Sequence, residues 1–326
     1  MHYPKISIVT PSYNQGHYIE QTIQSIIGQG YPNLEYIIID GGSTDNTTEV
    51  IKKYEQYISL WVSEPDNGQS DAINKGLAKC TGDIFNWINS DDYLEPGALQ
   101  KIGEAFLNAD ADIVCGFTRI FSESNQQDIM LHRTELFDTM EATLVQQRIN
   151  QQGMFYRLSI IKELGGINNH LHFIMDLECW FRYLCYKGQK RIVLIDNLLA
   201  HFRLHKESKT EAQARQFREE EKAMWYYILQ ANRPGAAWSK FFATDKVYQP
   251  VAPWQFDAVR PKLLYEELSQ KYLYPALSAG NKVLGRKAYK ALLRSGRLSL
   301  NLHHIAIFVK LFIGNIPFRK FFKNHA

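Results

Sequence analysis

The sequence predicts an α/β protein built on a doubly wound, mostly parallel sheet, and three observations carry that expectation. Short apolar, β-branched runs alternate with segments whose apolar residues recur at three and four over the first 92 residues. The runs are nearly continuous in apolar character, as strands covered by helices on both faces must be. Turns rich in Gly, Asn, Asp, Ser and Pro follow them.

Ile6 to Thr10 is a short strand ending in the turn Thr10-Pro11-Ser12-Tyr13-Asn14-Gln15-Gly16. Tyr18, Ile19, Ile23, Ile26 and Ile27 keep helical spacing until Gly28 and Gly30 close the helix. Leu34 to Asp40 is a second strand, and it ends in a carboxylate. After Gly41-Gly42-Ser43-Thr44, either Asp45 or Asn46 can cap a helix running to about Tyr57. Leu60 to Ser63 is a third strand, followed by the loop Glu64-Pro65-Asp66-Asn67-Gly68 and a helix from Ser70 to near Cys80. Ile84 to Ile88, bounded by Gly82 and Asn89-Ser90, is too short for a helix and reads as a buried strand. It stops at Asp91-Asp92.

Ligands of an open α/β sheet sit outside the carboxyl ends of its strands, so these polar loops line one crevice. Two carboxylates there can hold a hard divalent cation, with substrate phosphates and water completing the coordination. A plain surface turn explains an Asp-Asp pair as well. Neither G-x-G-x-x-G nor G-x-x-x-x-G-K-[ST] occurs in this region, so a dinucleotide fold or a P-loop is not supported.

Further along, Gly97 to Asn108 is helical and Ile113 to Phe121 is a strand. Gln151-Gln152-Gly153 leads into Met154 to Arg157 and a short helix ended by Gly165-Gly166. Asp176 falls in the first turn of an amphipathic helix carrying Trp180, Tyr183 and Leu184, where the helix dipole alone favours a carboxylate. Leu198 to His205 alternates as a strand, placing His201 and His205 on one face, as shared ligands or as ordinary packing. A charged helix from Glu211 to about Gln230 changes the texture. It sets a domain boundary near Thr210, dividing the chain into 1–210 and 211–326.

With 45% apolar and 13% aromatic residues the chain is not disordered. Its four cysteines are dispersed, with no C-x-x-C pair, so reduced, buried thiols and a cytoplasmic setting are expected. Met1 to Lys5 run directly into a strand, leaving no room for a secretion signal. Net charge is +3, yet residues 281–326 hold ten Lys or Arg and no Asp or Glu, leaving the first 280 at −7. Apolar residues interrupted by Lys310 are too few for a spanning helix of about 20 residues. Leu298, Leu300, Leu302, Ile305, Val309, Phe312 and Ile316, beside Phe318, Arg319, Lys320, Phe321, Phe322 and Lys323, instead suit a helix lying on an anionic membrane. Docking of the same residues on the protein itself fits the pattern equally. Nucleic acid is not expected as a partner, because the rest of the chain is acidic.

Several motifs in order now point to one family. They are Ser7-Ile8-Val9-Thr10-Pro11-Ser12-Tyr13-Asn14, Ile39-Asp40-Gly41-Gly42-Ser43-Thr44-Asp45, Asp71-Ala72-Ile73-Asn74-Lys75-Gly76, Thr81-Gly82-Asp83, Asn89-Ser90-Asp91-Asp92, Asp176-Leu177-Glu178-Cys179-Trp180 and Arg203-Leu204-His205. From Lys5 to Thr210 the chain resembles the family 2 glycosyltransferases. The resemblance implies the GT-A fold, a Rossmann-like, mostly parallel sheet flanked by helices, here with a mainly helical C-terminal extension.

It also implies an inverting transfer from a nucleotide-diphosphate sugar to an acceptor hydroxyl, in polysaccharide, lipopolysaccharide or cell-envelope glycan synthesis with a glycan or lipid-linked acceptor. Thr10, Pro11, Tyr13, Asn14 and Asp40 would meet the base and ribose, helped by Asp66 and Gly68. Asn74, Lys75 and Asn89 would complete the donor site. Asp91, Asp92 and His205 would hold ribose, diphosphate and a Mn²⁺ or Mg²⁺ ion. Asp176 would be the general base. Two departures stand out: Gly41 replaces a carboxylate that commonly reads the base, and Asn89 replaces the first Asp of an Asp-x-Asp-Asp run. The rival readings are a nucleotide-sugar-binding protein without turnover and a nucleotidyltransferase. Intact Asp91, Asp92 and Asp176 weigh against the first. The second lacks its expected basic Gly-rich loop.

Overall fold

The computed structural model describes residues 3–125, 127–206, 208, 213–231, 236–294 and 307–313. It divides into two compact units, one of Met1–Leu136, Arg148–Phe217 and Gln249–Asp257, the other of Phe137–Gln147, Arg218–Tyr248 and Ala258–Ala326. Thr210, where the sequence places a domain boundary, lies outside the described residues.

The first unit holds a sheet that has nine strands among the described residues. In chain order they are β1 (Ile6–Ser12), β2 (Leu34–Asp40), β3 (Leu60–Ser63), β4 (Ile84–Trp87), β5 (Tyr93–Leu94), β6 (Ile113–Ser122), β7 (Asp128–Arg133), β8 (Met154–Arg157) and β9 (Ile192–Leu204). The spatial order is β3-β2-β1-β4-β8-β6-β9-β5, with β7 beside β6. β3, β2, β1 and β4 run parallel, as do β6 and β9, while β8, β5 and β7 pair antiparallel with their neighbours. The helices of this unit are α1 (Ile19–Ile27), α2 (Thr47–Lys53), α3 (Gln69–Leu77) and α4 (Ala98–Asn108). After α5 (Met140–Gln146) of the other unit come α6 (Leu158–Glu163) and α7 (Met175–Lys187). Ile8, Ile38 and Ile84 of adjacent strands pack with Ile23 and Ile26 of α1 and Leu99 and Ile102 of α4 in one core. Gly76 of α3 lies against Val9 on the other face, and cover on both faces is why the strands read as unbroken apolar runs.

The sequence misses β5, β7 and α5 and starts β9 six residues late. β5 is two residues long and exists through its pairing of Tyr93 with His201 and Leu94 with Ala200. No local pattern can announce a partner a hundred residues away.

The chain leaves β1 for β2 and β3 on one side and returns through β4 on the other, so the switch point lies between β1 and β4. Ser12, Asp40 and Ser63 stand in one row at the carboxyl edge. The opposite edge is sewn by Glu35, whose carboxylate accepts from Lys5 Nζ at 2.7 Å, Ser7 Oγ at 2.6 Å, and the backbone N–H and hydroxyl of Thr81 at 2.8 and 2.6 Å. Next to it Gly82 passes so close to β1 that a Cβ would lie 2.5 Å from Ser7 Oγ and 2.7 Å from the Lys5 carbonyl. The Thr-Gly-Asp motif is thus the tie that brings β4 alongside β1, with Asp83 accepting from the Lys5 N–H at 2.8 Å.

In the second unit, Glu141 of α5 is fully buried and takes the backbone N–H and guanidinium of Arg260 at 2.7, 3.1 and 2.8 Å. Its other helices are α8 (Ala214–Ala231, from Arg218 onward), α9 (Ala236–Ser239), α10 (Pro261–Ser278) and α11 (Lys282–Arg294). α11 buries Ala288, Tyr289, Ala291 and Leu292, and Ile307 and Leu311 are buried too. Lys282, Arg286, Lys287 and Lys290 are exposed. In this part of the basic tail the apolar face is docked on the protein. Leu298, Leu300, Leu302, Ile305, Ile316 and the segment from Phe318 to Lys323 lie outside the described residues. Among the described residues no helix is long and apolar enough to cross a membrane.

Burial acts to raise the Glu35 carboxyl, but the bonds from Lys5, Ser7 and Thr81 outweigh it and hold the group down at about 2 against 4.5. A carboxyl depressed by folding stabilises the protein above its unfolded value and loses that contribution as pH falls from 4.5 towards 2. Glu35→Gln is therefore expected to cost about 2 kcal/mol at pH 7, the scale of hydrogen bonds to a charged group. In urea unfolding followed by tryptophan fluorescence, the gap between wild type and variant should narrow across that window. A gap that stays constant down to pH 3 would show that the charge plays no part.

Candidate active site

Two loops at the carboxyl edge of β1 and β2 are laced into one surface. The Asn14 N–H donates to Ser43 Oγ at 2.7 Å and the Thr44 N–H to Asn14 Oδ1 at 2.9 Å. The Gln15 and Gly16 N–H groups donate to Thr47 Oγ1 and Asp45 Oδ2 at 2.8 and 3.0 Å. Asn14 takes a left-handed backbone, φ 52°, which its short polar side chain tolerates. Tyr13 beside it is 59% exposed, an open aromatic face above the crevice. Thr10 and Pro11 are buried in β1, and Thr10 Oγ1 accepts from Tyr36 at 3.1 Å, so both support the loop from beneath.

Asp40 is also fully buried: its oxygens accept from the N–H and hydroxyl of Ser43 and from Ser63 Oγ at 2.7 Å. It organises the loop. The neighbouring Gly41 leaves room for Asp66, since a Cβ at position 41 would lie 2.8 Å from Asp66 Oδ2. Asp66, from the loop after β3, fills the space that a side chain at position 41 would take. Burial raises the Asp66 carboxyl above its ordinary value, against the Gly68 N–H, which donates to it at 2.8 Å. Lys75, one third exposed, reaches Glu64 at 3.1 Å, the Pro65 carbonyl at 3.3 Å and Asp71 at 3.7 Å.

At the end of β4 the structure separates the two adjacent carboxylates. Asp92 is fully buried; Gln152 Nε2 and Asn89 Nδ2 donate to Oδ2 at 2.7 and 3.2 Å, and the Arg203 N–H to Oδ1 at 3.1 Å. Burial, then the charge of Asp91, pushes its carboxyl well above the usual range. Asp91 is partly exposed, and its Oδ2 meets His205 Nε2 at 3.0 Å. Asn89 turns its oxygen to Gln69 Nε2 at 2.7 Å. His201 does not join His205: it pairs with Glu95 at 2.6 Å and stacks on Tyr93, centroids 4.3 Å apart. Among the described residues no three His, Cys, Asp or Glu side chains converge on one point.

The turn is clamped by residues to which the sequence assigned no role. Arg203 Nε donates to the Asp91 carbonyl at 3.0 Å, another of its nitrogens reaches Gln21, and the guanidinium lies 5.1, 5.8 and 5.4 Å from the ring centres of Tyr18, Tyr93 and Phe121. Thr22 Oγ1 lies 2.9 and 2.6 Å from the carbonyls of Ser90 and Asp92. Thr22 was visible as the one polar residue on the apolar stripe of α1. Gln152 sat in a stretch that read only as a loop.

Asp176 begins α7, partly buried, and its carboxyl is raised by desolvation against bonds from its own N–H and that of Leu177. The raised carboxyl makes a stronger base than an exposed one. The segment leading to α7 is tied to α3. Asn74 donates to the Ile167 carbonyl at 2.7 Å and accepts from the Ile167 N–H at 2.9 Å, while Ser70 Oγ donates to the Leu171 carbonyl at 3.0 Å.

Residues 7–165 match the family model "Glycosyl transferase family 2". An uncharacterized glycosyltransferase of Mycobacterium tuberculosis is 37% identical over 180 residues, 54% of this chain and 67% of that one. TuaG of Bacillus subtilis, a glycosyltransferase whose name assigns it to teichuronic acid biosynthesis, is 30% identical over 149 residues, 44% of this chain and 59% of its own. Across three further curated relatives this chain spans 58 to 72% of their length. The mannosyltransferase PcManGT of Pyrobaculum calidifontis, solved with GDP-Man and Mn²⁺, superposes with a TM-score of 0.58 at 15% identity, over 95% of this chain and 80% of that one. That likeness is one of fold, and it is the GT-A fold. A family match that begins in β1 and runs past α6, joined to a 37% identical relative covered over two thirds of its length, makes this chain a member of the family 2 glycosyltransferases.

Proposed function

We propose that the protein moves a sugar from a nucleotide-diphosphate sugar to an acceptor hydroxyl in a single, inverting displacement. The observation that carries this reading is the Asp91–His205 pair, 3.0 Å apart at the carboxyl end of β4 beside the switch point. The PcManGT structure with GDP-Man and Mn²⁺ supports both a nucleotide-sugar donor and a cation. One carboxylate oxygen and one imidazole nitrogen fit Mn²⁺ or Mg²⁺, the imidazole favouring Mn²⁺, with diphosphate oxygens and water in the remaining positions. Once bound, such a cation neutralises charge on the departing diphosphate. Asp92, enclosed by Gln152, Asn89 and the Arg203 N–H, positions the turn and is not a ligand in this reading. Tyr13 and the Asn14 loop receive the base and ribose with Asp66, and Lys75 turns from Glu64 to the diphosphate. Asp176 takes the acceptor proton on a carboxylate oxygen as the hydroxyl attacks the anomeric carbon. A glycan or lipid-linked acceptor accords with the teichuronic acid role in TuaG's name.

Turnover measurements test this. Donor consumption across a panel of nucleotide sugars should cease in EDTA and return with Mn²⁺. Asp91→Asn and His205→Ala should raise the metal concentration for half-maximal rate by at least about tenfold. Undiminished turnover in EDTA removes the cation from the reaction.

Asp176→Asn should lower kcat by about 10² to 10⁴ while nucleotide affinity is kept, because the base acts on the acceptor. The base must be ionised, and its carboxyl is raised from 3.8, so wild-type kcat should fall with acid through a value above 3.8. A folded Asp176→Asn protein of near wild-type rate transfers the role to another residue.

The exposed cations of α11 supply an electrostatic attraction to anionic lipid, about 1 kcal/mol for each Lys or Arg near the surface. Full-length protein should sediment with anionic vesicles at low salt and be released at high salt. Equal retention in the supernatant with and without residues 281–326 rules the membrane surface out.

A further inference from the structure

Asn74 and Ser70 lie one helical turn apart on α3 and grip the same stretch of backbone. Both polar atoms of the Asn74 amide bond the same residue, donating to the Ile167 carbonyl at 2.7 Å and accepting from its N–H at 2.9 Å. Ser70, 3% exposed, holds the Leu171 carbonyl at 3.0 Å. The grip has little slack: Gly166 is left-handed, φ 79°, and a Cβ there would lie 2.8 Å from Asn74 Oδ1.

The other side of this stretch is held by α7. Arg182 donates to the carbonyls of Leu164 and Gly166, the latter at 2.8 Å, and Asn168 Nδ2 reaches Glu178 Oε1 at 3.3 Å. Glu178 and Arg182 form an ion pair of 2.9 Å, with side chains 0 and 3% exposed. Two residues before Glu178 on the same helix stands Asp176. A chain of buried and half-buried bonds therefore runs from α3, through residues 164–171, into α7.

We propose that Asn74, assisted by Ser70, is a positioning residue for Asp176 and touches no donor atom. The inference rests on Asp176 being the base. The resemblance counts Asn74 as a donor contact, but its amide is oriented by two bonds to the Ile167 backbone. α3 carries Lys75 and, at its start, the Asp66–Gly68 turn, so one helix serves the donor loop on one side and the base on the other. A base displaced by an ångström can cost about 10² in rate.

The test compares Asn74→Ala, Ser70→Ala and Asp176→Asn in the full chain. Binding of UDP and of GDP with Mn²⁺ is measured by calorimetry, and kcat and KM with the nucleotide sugar that the panel identifies. Asn74→Ala should lower kcat by about 10², and Ser70→Ala by about tenfold, with KM for the donor and nucleotide affinity unchanged. Circular dichroism establishes that each variant is folded at the assay temperature. If Asn74→Ala weakens UDP or GDP binding while kcat is kept, Asn74 is a donor ligand and the proposal fails. If a folded Asn74→Ala melts earlier yet keeps kcat, its role is structural and the proposal fails as well. Should Asn74→Ala not fold, Ser70→Ala is read by the same criteria. Near wild-type kcat in Asp176→Asn would overturn the assignment of the base, an outcome separate from any result at Asn74.

Discussion

The arrangement at the carboxyl edge depends on keeping two neighbouring carboxylates, Asp91 and Asp92, in different environments. Like charges on consecutive residues repel, and burial of either is costly unless donors surround it. The backbone turn solves this by sending Asp92 inward to three donors and Asp91 outward to His205. Arg203 makes the solution stable, because one residue binds the Asp91 carbonyl with its guanidinium and Asp92 with its own N–H. Three aromatic rings around that guanidinium hold it where a looser cation would wander. His205 sits two residues further on, fixed by the Ser208 hydroxyl at 3.0 Å and packed on Tyr18. His205 and the Arg203 clamp are thus parts of one short stretch at the end of β9, facing Asp91 at the end of β4.

The same rule sorts the other carboxylates. Asp40, Glu178 and Asp92 are fully buried and held by donors, and they shape loops. Asp66, Asp91 and Asp176 keep fewer bonds and some exposure. The latter group remains available to a substrate. Burial raises the carboxyls of Asp66 and Asp176, so each holds its proton to a higher pH than an exposed carboxyl does.

Much of this was readable from residues alone. β1 to β4 and their crossover helices follow from period and turn chemistry, because each strand is apolar throughout and each loop carries its own Gly, Asn or Asp. The carboxyl-edge carboxylates were visible as strand ends. What escaped was every relation set by distant residues: β5 through its pairing with β9, Arg203 against the turn, Gln152 beneath Asp92, and Asp66 in the space above Gly41. Sequence spacing placed His201 and His205 on one face, yet their partners differ: His205 meets Asp91 of the β4–β5 turn and His201 meets Glu95 just after β5. The motif set Asp91 and Asp92 side by side, and packing gives them different environments.

The close packing of the fold also accounts for Thr81-Gly82-Asp83 and for Asn74 and Gly76 on either side of Lys75, residues that place the elements around the crevice. Thr81 and Gly82 allow β4 to close on β1 at the amino edge, which fixes where its carboxyl end emerges. Gly76 lets α3 lie against β1, where a Cβ would fall 2.5 Å from Val9 Cγ1. A helix pressed that closely to the central strand transmits the position of the strand to whatever the helix grips. Through Ser70 and Asn74 it grips the approach to α7, so Asp176 and the Asp91–His205 pair are both referenced to β1 and β4. In a reaction whose partners must align within an ångström, a common reference is worth more than any single contact.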